Sequence, residues 1–343
     1  MEKPAKRQRK PKRTLEEQLQ LVQERRKNDL ALKETKLGTA LDLQLRDAAL
    51  YFISNGEDIN GKNEWGMTAL HTAAYENQLP NISFLIRNGA NLEANDKEGH
   101  PPIFNAIERG HLKALKRLLR AGAKADTRSS NGWTPLHEAC YANRAATGEM
   151  IKLLLAYGAN PKPKASRGLT ALHIAASITC FESIGMLVAA GADVHSADAN
   201  GMFPLHYARN IYAVQDLIKY DADADAQDKS GNTALHMAAK REMVDVIKEL
   251  IKCGARTDIK NDDNKTYLEL LIPNSHEIDD PPHTEATYIP GEHECGICFE
   301  SKHREALSPC GHFLCSDCLR KLTNKKCPVC RRVIVSTIKQ LYQ

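Results

Sequence analysis

Along the middle of the chain, apolar residues fall in short clusters that come in pairs. The first cluster follows a glycine, as in Gly66-Met-Thr-Ala-Leu-His71; the second ends at a turn such as Gly89-Ala90. A threonine just before an apolar stretch caps the free N–H groups of a helix start. Alanine pairs such as Ala73-Ala74 let helices approach closely. The pattern predicts short paired helices, with the Leu and Ile of the second cluster buried against the next pair. The first cluster recurs as Gly99-His-Pro-Pro-Ile-Phe104, Gly132-Trp-Thr-Pro-Leu-His137, Gly168-Leu-Thr-Ala-Leu-His173, Gly201-Met-Phe-Pro-Leu-His206 and Gly231-Asn-Thr-Ala-Leu-His236. The glycines lie 33, 33, 36, 33 and 30 residues apart. The closing turns are Gly122-Ala123, Gly158-Ala159, Gly191-Ala192 and Gly254-Ala255, with Asp221-Ala222 in the fifth.

A fixed period of this length marks a stacked repeat architecture. The motif resembles the ankyrin repeat over roughly residues 42–271, with partial caps at Ala48 to Asn60 and Asn264 to Leu271. The resemblance implies a mostly α solenoid of six full repeats. Three extra residues near Asn143 to Gly148 and a three-residue deficit between His206 and Asp221 are expected to bend the stack locally. Pro101 and Phe203 replace the capping threonine in the second and fifth repeats, and Phe104 replaces the histidine in the second. His71, His137, His173, His206 and His236 occur once per repeat, so each is expected to bond its own turn rather than to serve a metal or acid–base site. The family further implies that the array is the receptor for a substrate protein. Tyr75 and Tyr141, on the expected concave side, and Trp65, at a turn, are candidate anchors, although repeat packing accounts for them equally well.

Upstream, residues 1–13 hold seven Lys or Arg and one Glu, too polar to fold alone. Thr14-Leu-Glu-Glu17 predicts a capping box opening a helix that runs to about Lys36. Leu15, Leu19, Val22 and Leu30 give it only a thin apolar stripe, so residues 1–41 read as a basic tail and a solvated helix. Residues 272–293 hold Pro273, Pro281, Pro282 and Pro290 with Glu277, Asp279 and Asp280, and read as an acidic linker.

Apolar content is 42 %, aromatic content 6 % and net charge +4, which fits an alanine- and leucine-rich helical array and excludes a wholesale polyanion binder. The chain has no apolar run of about 18 residues or more and no apolar core after its charged start, so neither a membrane span nor a secretory signal is expected. Ten cysteines in a reducing compartment read as metal ligands and core thiols. The expected location is cytoplasm or nucleus; Lys6 to Arg13 resembles a nuclear import signal. Contact with nucleic acid through that run is the weaker alternative, and it predicts steep salt dependence.

Seven of the ten cysteines fall in the 36 residues from Cys295 to Cys330, ordered Cys295, Cys298, Cys310, His312, Cys315, Cys318, Cys327, Cys330. Thiolates and imidazole are zinc's tetrahedral donors, and eight of them close two structural sites with no place for a reactive water. The histidine stands fourth, which resembles the RING finger and not the PHD finger, where it stands fifth. The predicted C-terminal domain, residues 294–343, is then a small α+β module holding two zinc ions. The RING resemblance implies interleaved sites, Cys295, Cys298, Cys315 and Cys318 for the first and Cys310, His312, Cys327 and Cys330 for the second. It also implies an E3 ubiquitin ligase. Ile297, Leu319, Leu322 and Pro328 would form the groove for a ubiquitin-conjugating enzyme, and Arg331 would hold ubiquitin against that enzyme. The tail from Val333 to Gln343 resembles those of inhibitor-of-apoptosis RINGs, which seal a homodimer and touch the partner's ubiquitin; Leu341 or Tyr342 would make that contact. A tail strand packed on its own domain is the alternative. The rival to the ligase is a non-catalytic scaffold.

Overall fold

The computed structural model describes residues 13–28, 35–178 and 182–271, with the backbone of two strands at 304–307 and 313–315. The chain divides into two units, Met1–Ser166 and Arg167–Gln343.

In the first unit, Thr14 and Glu17 form the expected capping box: the Thr14 N–H donates to Glu17 Oε2 at 2.8 Å and the Glu17 N–H to Thr14 Oγ1 at 3.3 Å. Helix α1, Leu15–Asn28, opens there. It is not the solvated helix that its thin stripe predicts. Val22 keeps only 1 % of its surface exposed, and α1 packs on α2 (Lys36–Asp42) and α3 (Arg46–Ser54). Gln18 fastens it, accepting from the Ala48 N–H at 3.2 Å and donating to Asp47 Oδ2 at 3.1 Å. The stack also starts earlier than the motif shows. Thr35 caps α2 by accepting from the Gly38 N–H at 2.9 Å, so a full helix pair precedes the first recognisable repeat.

Three pairs follow: α4 Ala69–Tyr75 with α5 Leu79–Arg87, α6 Pro102–Glu108 with α7 Leu112–Arg120, and α8 Pro135–Ala142 with α9 Thr147–Ala156. The first helices α2, α4, α6 and α8 pack side by side in one layer, and α5, α7 and α9 in a second. The core lies between the layers, where Ile82, Leu85, Ile103, Leu115, Leu118, Leu136 and Ile151 are fully buried. Ala73 and Ala74 are buried where α4 meets α6, as close packing of small residues requires. The extra residues of the third repeat form a loop that turns back: Asn143 adopts φ 42°, and the Arg144 Nε donates to the Glu108 carbonyl at 2.9 Å.

The turns ahead of the first helices are organised by a residue three before each glycine. Asn63 Oδ1 accepts from the Trp65 and Met67 N–H groups, and Asp96 Oδ1 from those of Glu98 and His100. Neighbouring turns are joined through the backbone, the Lys97 N–H donating to the Trp65 carbonyl and the Ser130 N–H to the Glu98 carbonyl. Glycine is needed at position 66. Its φ is +77°, and a Cβ there would stand 2.8 Å from the Lys97 nitrogen. Gly66→Ala is expected to cost about 1–3 kcal/mol from the backbone conformation alone, measured as a lowered denaturant midpoint.

The second unit repeats the scheme with α10 Ala171–Ser177 and α11 Ser183–Ala189, then α12 Ile211–Lys219, α13 Ala234–Lys240, α14 Val244–Lys252 and α15 Tyr267–Leu271. The deficit in the fifth repeat falls on its first helix, which shrinks to a 3₁₀ turn at Pro204–Tyr207. That turn is braced from outside. The Arg241 Nη1 donates to the His206 carbonyl at 2.7 Å, and the Tyr207 hydroxyl to Asp198 Oδ2 at 2.7 Å. Asn210 then restarts the helix, accepting from the Ala213 N–H at 2.8 Å. At the end of the array Thr266 caps α15, its N–H donating to Glu269 Oε2 at 2.7 Å, and Tyr267, Leu268 and Leu271 are buried. Strands β1, Arg304–Leu307, and β2, Phe313–Cys315, pair antiparallel, with Leu307 opposite Phe313 and an irregularity between Arg304 and Ala306. Among the described residues no helix is long and apolar enough to cross a membrane.

Candidate functional site

The repeat histidines do bond their own turns, and they also do more. His71 Nδ1 accepts from the Thr68 N–H at 3.0 Å and lies 2.8 Å from Thr68 Oγ1. His137, His173 and His236 repeat both contacts with Thr134, Thr170 and Thr233. With Nδ1 serving as acceptor to a backbone N–H, the proton belongs on Nε2. That nitrogen donates to a carbonyl of the following repeat: His71 to His100 at 2.9 Å, His173 to Met202 at 3.1 Å, His206 to Asn232 at 2.9 Å, and His236 to Lys265 at 3.0 Å. Each of these four rings therefore staples one repeat to the next. Where Phe203 replaces the threonine, half the box survives, the Phe203 N–H donating to His206 Nδ1 at 3.2 Å. In the second repeat Phe104 cannot bond; it stacks on His100 with ring centres 4.8 Å apart. Burial holds the pKa of His71, His206 and His236 below the ordinary 6.5. These are structural rings, and among the described residues no group of three or more His, Cys, Asp or Glu is placed to hold a metal.

The three aromatic candidates all lie in the first unit. Trp65 is 50 % exposed at its turn and Tyr141 63 % exposed at the end of α8. Tyr75 is half-buried, with the Arg109 guanidinium 4.6 Å above its ring. Trp133, just ahead of α8, meets Tyr141 edge to face at 5.2 Å and lies 6.0 Å from His137, so the three rings form one cluster. Trp133 was not singled out by its sequence position, and this ring contact marks it.

Of the eight expected zinc ligands, Cys315 closes β2, and Cys310 and His312 stand in the sequence between the two strands. Cys295, Cys298, Cys310, His312, Cys318, Cys327 and Cys330 lie outside the described residues. So do Ile297, Leu319, Leu322, Pro328, Arg331, Leu341 and Tyr342, the basic run Lys6 to Arg13, and the linker 272–293. Of the cysteines in the array, Cys140 is buried in α8 where the first, fourth and sixth repeats have alanine, and Cys253 is half-buried, its thiol pushed up by burial and by Glu249. The raised pKa makes Cys253 a poor nucleophile. Cys180 lies outside the described residues.

Known proteins divide along the same line. Models of ankyrin repeats match residues 37–129, 73–165, 103–198, 145–228 and 205–278. A model of the C3HC4-type (RING finger) zinc finger matches residues 291–337. The mouse B-cell lymphoma 3 protein homolog is 37 % identical over 105 residues, covering 29 % of this chain and 23 % of that protein. The E3 ubiquitin-protein ligase KEG of Arabidopsis thaliana is 32 % identical over 133 residues, covering 36 % of this chain and 8 % of that protein. The chain thus spans less than a quarter of either relative. In structure it resembles the ankyrin repeat domain of Bcl-3, with TM-score 0.52 and 30 % identity over 60 % of this chain and 95 % of that one. The human ASB11 ankyrin repeat domain gives TM-score 0.54 and 28 % identity over 61 % and 94 %. The ankyrin matches together run from residue 37 to residue 278, more than half of the chain, and the chain belongs to the ankyrin-repeat family, with a C3HC4-type RING finger at residues 291–337.

Proposed function

We propose that the chain is an E3 ubiquitin ligase in which the RING finger recruits a ubiquitin-charged conjugating enzyme and the ankyrin array holds the protein to be modified. The observation that carries this reading is the ordered set of seven cysteines and one histidine inside a segment matched by the RING family. The similarity to the Arabidopsis ligase supports it.

The donor set fits two zinc ions, one on Cys295, Cys298, Cys315 and Cys318 and the other on Cys310, His312, Cys327 and Cys330. Bound zinc supplies the fold of a domain with little core of its own. Ile297 and Pro328, each inside a Cys-x2-Cys pair, form the apolar seat for the conjugating enzyme with Leu319 and Leu322. Arg331 directly follows the last ligand; its guanidinium hydrogen-bonds ubiquitin and the enzyme together. The ligase supplies no covalent intermediate. It holds the thioester-linked ubiquitin in a reactive pose, so the gain is entropic, and the substrate amine attacks. The tail, through Leu341 or Tyr342, joins two copies.

Arg331→Ala is expected to leave binding of the conjugating enzyme nearly unchanged while slowing ubiquitin discharge at least about tenfold, whereas Ile297→Ala abolishes both. Titration of the labelled enzyme and a lysine-discharge assay separate the two effects. If no conjugating enzyme supports transfer by the wild-type chain and Ile297→Ala changes nothing, the domain serves as a scaffold.

A further inference from the structure

We propose that the face built by α4, α6 and α8 takes a basic segment of the partner protein, a lysine or arginine side chain lying on the row Thr72–Asn105–Glu138. The proposal rests on the reading of the array as a receptor and names the chemistry that it receives. The three residues follow Gly66, Gly99 and Gly132 at the same interval, so they occupy one register position on three adjacent helices. Three residues further on, Tyr75, Glu108 and Tyr141 form a parallel row.

The first row is short of donors. Thr72 Oγ1 and Asn105 Oδ1 are buried, and neither has a hydrogen-bond partner. Asn105 keeps only 8 % of its surface exposed. An orphaned buried acceptor is costly and calls for a donor from elsewhere. Glu138 completes the row with a carboxyl that burial, then Glu108 and Glu98, push up to about 7. A cation set beside it would return it to the carboxylate form.

The second row supplies the rest of the complementarity. Glu108 is exposed at the end of α6, next to the exposed Tyr141, whose ring can receive a cation. Two arginines beside these residues are already engaged, Arg109 over the Tyr75 ring and Arg144 on the Glu108 carbonyl. Trp133, edge-on to Tyr141, extends the apolar margin. Acceptors without donors, neighbouring carboxyl groups and the exposed Tyr141 ring together fit an extended basic segment.

The test uses the full-length protein and two fluorescein-labelled nonapeptides, one alternating lysine with serine and the other arginine with serine, in about 0.15 M salt so that loose charge attraction is screened. Fluorescence anisotropy is expected to show binding that falls about tenfold in Glu138→Gln and in Asn105→Leu. Asp245→Asn, which removes an exposed carboxylate from α14, is expected to change binding less than about twofold. A preference between the peptides identifies the favoured side chain. Equal losses in all three variants, no binding of either peptide, or Asn105→Leu binding like wild type with a higher Tm each overturn the proposal; in the last case the row is only a fault in the core. Ile297→Ala, run alongside, is expected to stop ubiquitin transfer and leave peptide binding intact, so failure of this site and failure of the ligase reading are told apart.

Discussion

Stripping zinc from the full-length protein is expected to unfold the C-terminal domain, abolish ubiquitin transfer and leave the helical array intact. Structural zinc is worth about 10–16 kcal/mol of apparent binding energy near neutral pH in small modules, more than such a domain's core can replace. Among the described residues of the array no group is placed to hold a metal; the core is aliphatic and the histidines hydrogen-bond backbone groups. A chelator should therefore remove two zinc ions per chain and open residues 291–337 to protease, with little change in helical circular dichroism. Cys315→Ser, at the end of β2, should act in the same way. One zinc per chain would break the interleaved assignment, and loss of helix on chelation would place metal in the array.

The second large effect concerns the staples between repeats. Replacing His71 with phenylalanine, the residue that position 104 carries naturally, should destabilise the first unit by about 3 kcal/mol, since the Thr68 N–H and the His100 carbonyl both lose their partner. At roughly 2–4 °C per kcal/mol for a domain of this size, Tm should fall by about 6–12 °C. The same geometry sets a direction with pH. Protonating Nδ1 destroys an acceptor, and burial already holds the pKa of His71, His206 and His236 below 6.5. As pH falls below 6.5 the unfolded chain takes up protons that the folded chain refuses, so stability is full above that value and declines as pH falls through it. Chemical denaturation at pH 7.5 and about pH 5.5 measures this, and the decline should shrink in His71→Phe. A midpoint that rises on acidification would contradict the tautomer assigned here.

The array was legible because its motif joins two kinds of signal, a recurring glycine interval and a Thr–His pair three positions apart that closes as a capping box. The other half of each staple was not legible. A carbonyl donates no sequence signature, so the reach of Nε2 to the next repeat appears only in three dimensions. The turn-organising position was hidden because Asn63, Asp96, Ser129, Asp198 and Asp228 do one job with different side chains. The leading helix pair lacks the motif altogether, and the docking of α1 turns on Gln18, a polar residue that no apolar pattern would flag. In the fifth repeat the three-residue deficit was visible, but its effect on the first helix depends on Arg241, thirty-five residues away. The row Thr72–Asn105–Glu138 shares no residue type at all, so only register and missing hydrogen bonds reveal it. The zinc ligands stand at the opposite pole. Their order and spacing are the signal, and the RING resemblance implies which donors meet.

The most direct measurement of the ligase reading mixes the purified full-length chain with ubiquitin, activating enzyme, ATP and a panel of conjugating enzymes, and follows ubiquitin conjugates by mass. At least one conjugating enzyme should yield conjugates with the wild-type chain and none with Ile297→Ala. Conjugates that form equally with both chains, or with neither across the whole panel, would contradict it.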